Sequence, residues 1–214
     1  MKNLFVAVTL SVVLFVVSNA SAQGDLNFSV NGGGTLSNFN FNGESDRNMI
    51  IGYTIGIACE YGITDAFYVQ SGLSLLSKGA KAKEDGLGDV LKVSATFRPT
   101  YLQIPMHAAY KFDINENVKL LLNAGPYLAF GVGGKTSVET KYSGNREVTE
   151  KTDFFGDDIF QHKNFDLGIG MGVGVELEKL VFNLGYDMGL LDIDRMSNVS
   201  TRTQSTALTV GYKF

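Results

Sequence analysis

The residues with the clearest potential for chemistry lie in one short polar segment, which contains Asp157, Asp158 and His162. A carboxylate beside an imidazole can activate a water molecule, so this set would suit a hydrolase. The chain has only two histidines, however, and the segment reads more simply as a solvated acidic loop. An acyltransferase would also need a serine converging on the same pair, for which the sequence gives no support. We therefore expect no catalytic residues.

Two other patterns could indicate a metal or a cofactor. Glu150 and Asp153 precede the same acidic segment and add candidate Ca²⁺ ligands, but no ordered ligand spacing is present. The run Gly170-Met171-Gly172-Val173-Gly174 is glycine-rich like a dinucleotide loop. That loop needs a strand, a tight turn and the start of a helix, whereas these glycines alternate with apolar residues. We expect no metal site and no cofactor.

Composition excludes further classes of protein. The chain has 214 residues, with 18 basic and 22 acidic side chains and a net charge of −4. Without a basic surplus, nucleic acid is not an expected partner. Cys59 is the single cysteine, so no internal disulfide framework can hold the fold.

The first residues have the pattern of a secretory signal peptide. Lys2 supplies positive charge, and residues 4–17 are apolar apart from Thr9 and Ser11. Ala20-Ser21-Ala22 then offers small residues for cleavage. The apolar stretch is short for a retained membrane helix, and no cluster of charges follows it. We expect residues 1–22 to be a signal peptide and residues 23–214 to form one domain.

Within that domain the dominant hydrophobic period is two, which indicates β-strands. The last three segments are the clearest, and each is long enough to cross a bilayer as a tilted strand. Their apolar faces carry Phe165, Leu167, Ile169, Met171, Val173, Val175 and Leu177; then Leu180, Phe182, Leu184, Tyr186, Met188 and Leu190; then Leu208, Val210, Tyr212 and Phe214.

Five earlier segments alternate less regularly, which gives eight strands in total. They are marked by Leu26, Phe28 and Val30; by Met49 to Cys59; by Phe67, Val69, Leu73 and Leu75; by Leu102 to Phe112; and by Val118 to Phe130.

The connections between these strands alternate in length. Short ones fall at residues 62–65, 113–117 and 178–179, and long ones fall at about residues 35–47, 77–97, 134–163 and 192–202. Short periplasmic turns and long external loops are typical of bacterial outer-membrane barrels. Lipid offers no hydrogen bonds, so such a sheet must close. We therefore predict an all-β fold, an eight-stranded antiparallel up-and-down transmembrane β-barrel in the outer membrane of a Gram-negative envelope, with both termini periplasmic.

Aromatic residues gather near the predicted periplasmic ends of the strands, where rings would sit at the lipid headgroups. They are Tyr61, Phe67, Tyr110, Phe112, Phe182, Tyr212 and Phe214. A soluble lipocalin-like barrel is the main alternative fold, and it would bury its apolar stripe inside. The aromatic residues at the strand ends favour the membrane barrel.

Several stretches resemble the PorT-like outer-membrane β-barrel family, over most of the chain from about residue 25. They are Tyr101-Leu102-Gln103-Ile104-Pro105 running to Tyr110-Lys111-Phe112, Phe165-Asp166-Leu167-Gly168, Leu184-Gly185-Tyr186-Asp187 and Val210-Gly211-Tyr212-Lys213-Phe214. The resemblance implies the same fold and location, and the terminal Phe214 segment looks like the signal that the barrel-insertion machinery reads. It implies no catalytic motif. The family's namesake is associated with protein secretion, which makes that association one role to test.

Polar residues on the opposite faces of the strands are predicted to line the lumen. They are Gln103, His107, Lys111, Asp166, Glu176 and Asp187. Charges in that position must pair to offset lost hydration, and could form either a polar conduit or a salt-bridged plug. Because eight strands leave little open bore, we predict the plug.

The longest connection, residues 134–163, is the candidate contact for a protein partner. Gly144-Asn145 suits a tight turn, so we predict a polar hairpin that extends the wall outward. Residues 153–160 then carry four bulky apolar side chains, which should cover the barrel mouth, meet a partner or pack on neighbouring loops. We predict a non-enzymatic barrel in outer-membrane lipid that binds, scaffolds or assists envelope assembly through its loops. A narrow porin or small-ligand carrier is the alternative, and a hydrolase or acyltransferase is the third class.

Overall fold

The chain forms an all-β structure. The computed structural model describes residues 26–41, 44–45, 49–86, 91–142, 146–155, 164–192 and 201–214. Its strands are β1 (Leu26–Phe41), β2 (Glu44–Ser45), β3 (Ile50–Gly62), β4 (Phe67–Ser77), β5 (Ala80–Gly86), β6 (Leu91–Asn115), β7 (Val118–Tyr142), β8 (Arg146–Asp153), β9 (Phe165–Leu177), β10 (Leu180–Gly189) and β11 (Thr201–Lys213). Within the described ranges, no helix has the length and hydrophobicity to cross a membrane. The signal peptide predicted for residues 1–22 lies outside them.

Eight of the described strands close into a ring. Its order is β1, β3, β4, β6, β7, β9, β10 and β11, and every neighbouring pair is antiparallel. The seam between β1 and β11 closes the ring with thirteen partner pairs, from Ser29 opposite Lys213 to Phe41 opposite Thr201. Consecutive wall strands are neighbours in space, because the connections are hairpins. The predicted eight-stranded up-and-down barrel is therefore confirmed.

The outer surface of the ring is apolar. Along β10 the exposed positions are Leu180, Phe182, Leu184, Tyr186 and Met188, and the residues between them are more buried. On β3, Ile51 is 78% exposed. Large apolar side chains exposed in alternation on every wall strand would be unfavourable in water and suit a hydrocarbon environment. The alternating faces that the sequence predicts for the eight strands are confirmed.

The two ends of the barrel differ. At one, called here the turn end, strands are joined by short turns at residues 63–66, 116–117 and 178–179. The exposed aromatic residues predicted as an interfacial belt all lie near this end: Tyr61, Phe67, Tyr110, Phe112, Phe182, Tyr212 and Phe214. Short turns are the periplasmic habit of such barrels, so the opposite end, called here the hairpin end, faces outward.

At the hairpin end the wall extends well beyond the length that a bilayer needs. β6 and β7 have 25 residues each, against about 9–11 for a crossing strand. β5 pairs with residues 91–97 of β6, and β8 pairs with residues 135–142 of β7. Together these four segments form a four-stranded assembly, called here the outer sheet.

The outer sheet confirms one sequence prediction and corrects another. The predicted polar hairpin in residues 134–163 is present, with Tyr142 opposite Arg146, although its tip at Gly144-Asn145 lies outside the described residues. The prediction of a long loop over residues 77–97 is wrong, since most of that stretch is strand. Strands above a membrane need no lipid-facing apolar side, so this hairpin lacks the alternation that marks the other strands. β1 also continues to Phe41, into the connection predicted from about residue 35. For the same reason, the sequence does not show this extension.

A β-bulge marks the border between the membrane wall and the outer sheet. Tyr101 lies opposite Gly131 and Thr100 lies opposite Gly133, so Val132 is an extra residue in β7. Gly134 then has φ of 141°, and a Cβ there would lie 2.5 Å from the Cα of Pro99. Only glycine fits this close approach. The bulge re-aims the outer sheet relative to the wall.

The outward orientation of Leu184 gives a first prediction. Replacing Leu184, which is 48% exposed in the middle of β10, by Arg should destabilise the barrel by about 2–4 kcal/mol, because the cation would enter hydrocarbon. Leu190, just after the same strand at the hairpin end, is the matched control and should tolerate Arg at a cost of about 0–1 kcal/mol. Urea unfolding in lipid vesicles measures both. Equal costs at the two positions would show that Leu184 does not face the bilayer core.

Candidate functional site

The barrel interior gathers the polar side chains that the sequence places there. All six predicted lumen residues lie on the inward faces of their strands: Gln103, His107, Lys111, Asp166, Glu176 and Asp187. The structure adds partners that sequence reasoning did not single out, namely Glu60, Lys78, Tyr127 and Lys213. Glu60 and Lys213 alternate with the outward-facing residues of their strands, and this alternation could have identified both as lumen residues. No such signal exists for Lys78, which follows the last residue of β4.

Near the turn end, four charged residues form a chain of ion pairs across the lumen, called here the basal network: Glu60, Lys111, Glu176 and Lys213. The Lys111 ammonium donates to Glu60 and, at 2.7 Å, to Glu176, which also accepts from Lys213. The side chains of Lys111 and Glu176 are only 2% and 6% exposed. Because each charge has a partner, the network offsets the desolvation of its members.

Further contacts hold the basal network in place. Gln70 donates to the second oxygen of Glu60 at 2.7 Å. The Lys111 ammonium also lies 4.3 Å from the centre of the Tyr68 ring, a cation–π contact. The network joins strands β3, β6, β9 and β11, which are not all neighbours in the ring, and so it ties opposite walls together.

A second group of side chains in contact with one another lies toward the hairpin end and is called here the upper cluster: Lys78, Tyr101, Tyr127, Asp166 and Thr203. One oxygen of Asp166 accepts from Thr203 at 2.7 Å and from Tyr127 at 3.2 Å, and lies 3.7 Å from the Lys78 ammonium. That ammonium lies 4.5 Å from the centre of the Tyr127 ring. All five residues are essentially inaccessible to solvent.

The glycines of β9 explain how this interior fits inside eight strands. Gly168, Gly170, Gly172 and Gly174 all lie on the inward face of β9. A Cβ at Gly168 would lie 2.5 Å from the Tyr127 ring, and a Cβ at Gly170 would lie 2.6 Å from the Asp187 carboxylate. The glycine face of β9 therefore provides the volume that the larger lumen side chains occupy.

Between the two groups lies a cavity of about 220 Å³. Gln103 donates to Asp187 at 2.8 Å in its wall, and Asn123 donates to Asn183 at 3.3 Å. The Nε2 atom of His107 is buried and has no hydrogen-bond partner among the described residues. A polar cavity of this size has room for several water molecules.

Two phenylalanines close the lumen on its hairpin side. Phe154 is fully buried against Ala80 and Phe97, and Phe155 packs edge-on against Tyr101 with ring centres 5.4 Å apart. Of the three outcomes predicted for residues 153–160, these two side chains show the first, since they cover the barrel mouth. The other apolar residues of that segment lie outside the described residues.

The residues considered for catalysis and metal binding are not brought together by the described structure. Asp157, Asp158 and His162 lie outside the described residues. Glu150 and Asp153 are exposed on β8, opposite Val138 and Lys135. Across the described ranges, no group of three or more His, Cys, Asp or Glu side chains is placed to hold a metal ion.

A family profile agrees with this architecture. Residues 19–195 match the profile of the family described as outer membrane protein beta-barrel domain. No curated protein matches the chain. Among solved structures, Ail of Yersinia pestis, in complex with the heparin analogue sucrose octasulfate, is 14% identical with a TM-score of 0.42, covering 89% of this chain and 99% of Ail.

Two other solved barrels match over similar lengths. Neisserial surface protein A is 18% identical with a TM-score of 0.40, covering 87% of this chain and 97% of that one. OprG from Pseudomonas aeruginosa is 16% identical with a TM-score of 0.35, covering 90% and 97%. These likenesses are too distant to bear on function. The family profile spans most of the chain and agrees with the closed ring and its apolar exterior, so the chain belongs to the outer membrane protein beta-barrel domain family and lies in the cell outer membrane.

Proposed function

We propose that the protein is a non-catalytic and non-conducting barrel that holds the outer sheet above the membrane as a binding or scaffolding surface for another protein. The observation that carries this proposal is the occupied lumen, in which the basal network and the upper cluster fill the bore at two levels. An ion crossing the barrel would have to separate buried ion pairs at both levels. That requirement weighs against the narrow porin considered as the alternative.

The outer sheet is the part of the molecule best placed to meet a partner. External segments of a rigid scaffold commonly carry its binding function. Within the described residues, β8 pairs along only one edge, with β7, so its other edge presents backbone N–H and C=O groups. An extended segment of a partner can add to such an edge as another strand.

Shortening this hairpin tests the proposal. Removing residues 137–151 and joining Thr136 to Thr152 through two glycines should leave the barrel folded, because these two threonines face each other across the pair. The matched control removes residues 83–94 from the β5–β6 hairpin and joins Ala82 to Ala95, which also face each other. We expect partners recovered by cross-linking in native envelopes to be lost with the first change and retained with the second.

Two measurements accompany that experiment. Heat-modifiable electrophoretic mobility shows whether each variant folds, and planar-bilayer recording shows whether the wild-type barrel conducts. Steady channel currents from the wild type would refute the non-conducting barrel. Recovery of the same partners after both deletions would refute the assignment of binding to β8.

The lumen cavity favours a second candidate, a small-ligand carrier. Its wall mixes amides, hydroxyls and the Nε2 atom of His107, which has no partner in the described part of the chain and could hydrogen-bond a small polar molecule. Native mass spectrometry of the purified barrel separates the two candidates. A co-purifying small molecule that is lost on His107→Leu would support the carrier.

The proposal also includes how the protein is exported and inserted into the membrane. We infer that residues 1–22 are removed on export, which N-terminal sequencing of the purified barrel checks. The last aromatic, Phe214, is 68% exposed beyond the end of β11 and is available to the barrel-insertion machinery. Association with protein secretion, as implied by the PorT-like resemblance, is one scaffolding role that the cross-linking experiment would detect.

A further inference from the structure

Three cations lie together on the outward face of the outer sheet. Arg98 of β6 is directly opposite Lys135 of β7, and Lys81 of β5 is opposite Thr96, so it shares that face. Cβ atoms of directly opposed residues are about 4.5–5.5 Å apart, and like charges in that position destabilise a sheet. Arg98 and Lys135 are both exposed. We call Lys81, Arg98 and Lys135 the rim cations.

The rim cations lack ion-pair partners in the described part of the chain. Among the described residues, none of the three forms an ion pair. Asp153 is opposite Lys135 on β8 and makes none with it. Three cations with one opposed carboxylate leave a net positive charge on adjacent strands, and such a surface attracts an anion.

The position of the rim cations indicates which kind of anion they would attract. On the outward face of β6, the apolar band ends at Leu102, and Thr100 and then Arg98 follow. On β7 the exposed Val132 precedes Lys135 by three residues. The cations therefore stand immediately above the hydrocarbon, at the depth of the outer-leaflet headgroups, and their long side chains can reach back toward it.

We propose that Lys81, Arg98 and Lys135 bind the phosphate groups of a phosphorylated lipid of the outer leaflet. Arg98 can form two parallel hydrogen bonds to one phosphate, and the lysines add compact positive charge. The apolar wall directly below them would lie against the acyl chains of the same molecule. A ligand that has both phosphates and acyl chains fits this border better than a soluble anion does.

Binding of diphosphorylated lipid A tests the proposal, with lipid A lacking both phosphates as the comparison probe. Native mass spectrometry of the folded barrel in detergent micelles measures the affinity for each. The wild type should prefer the phosphorylated form, and Arg98→Gln with Lys135→Gln should weaken its binding roughly 25-fold, since each cation contributes about fivefold. Arg98→Lys, which keeps the positive charge, should weaken binding of diphosphorylated lipid A by less.

Arg202→Gln is the matched control, because Arg202 is an exposed cation at the hairpin end of β11, away from the rim cations. It should bind diphosphorylated lipid A within twofold of the wild type. Heat-modifiable mobility confirms that every variant is folded. Equal binding of the two lipids by the wild type, or unchanged binding by the double variant, would overturn the proposal. Competition by inorganic phosphate at the same concentration as the lipid would overturn the lipid assignment.

Discussion

Replacing Lys111 by Met should destabilise the barrel by about 3–5 kcal/mol, because the change leaves the largely buried Glu60 carboxylate without a cation and removes one of the two cations that pair with Glu176. Lys111 is the central member of the basal network and bonds both Glu60 and Glu176. Glu176 keeps Lys213 as a partner in the variant, whereas Glu60 keeps, among the described residues, only the amide of Gln70. Met has a similar length and fills the space of the lysine side chain, so the loss of stability reports mainly on the missing positive charge. Urea unfolding in vesicles of fixed composition measures it.

The control for this change lies at the same end of the molecule. Lys119 pairs with Asp113 at 3.1 Å, but both side chains are well exposed. Lys119→Met should therefore cost less than about 1 kcal/mol. Adding Glu60→Gln to Lys111→Met should recover part of the lost stability, because Glu176 then still pairs with Lys213 and no carboxylate of the network lacks a cation. A cost for Lys111→Met as small as that for Lys119→Met would show that water solvates the network in the folded barrel.

Replacing Asp166 by Asn should destabilise the barrel by about 3 kcal/mol, since it leaves the buried Lys78 ammonium without a counter-charge. Asn has nearly the same shape and can still accept from Thr203 and Tyr127, so hydrogen bonding is largely preserved. The cation–π contacts of Lys78 with the rings of Tyr101 and Tyr127 remain and place the expected cost near the lower end of the range for a broken buried pair.

A double variant separates charge from packing in the upper cluster. Lys78→Met combined with Asp166→Asn removes both charges and should recover much of the stability lost by Asp166→Asn alone. The same unfolding assay applies, and the single variants Lys78→Met and Asp166→Asn complete the cycle. If the double variant is as unstable as the sum of the two single changes, then the two residues do not interact in the folded barrel.

The wall of the barrel could be predicted because a membrane imposes strict alternation. Leu184 faces outward and Asp187 faces the lumen, as their parity in β10 requires. The outer sheet could be predicted only where a turn signal was present. Gly144-Asn145 indicates the β7–β8 hairpin. The β5–β6 hairpin has no lipid-facing apolar side, so its sequence lacks the two-residue hydrophobic alternation that indicates a strand.

The interior partners were harder to predict, because they are joined across the lumen. Lys78 and Asp166 lie on different walls and far apart in sequence, and no local pattern relates them. Their pairing depends on the register of the intervening strands, which a single sequence does not supply. Phe154 and Phe155 were recognised as unusual, but only the geometry of the mouth shows that they pack inward.

The seam between β1 and β11 has a consequence for how the protein must assemble. Its partners are among the most distant in the chain, such as Ser29 with Lys213, so no part of the seam can form until the final strand has been made. Contacts of such high sequence separation fold slowly. Until then both edge strands present unpaired backbone groups that invite aggregation. The nascent chain should therefore depend on holdase chaperones, and truncation within β11 should yield an aggregating, protease-sensitive product rather than a smaller barrel.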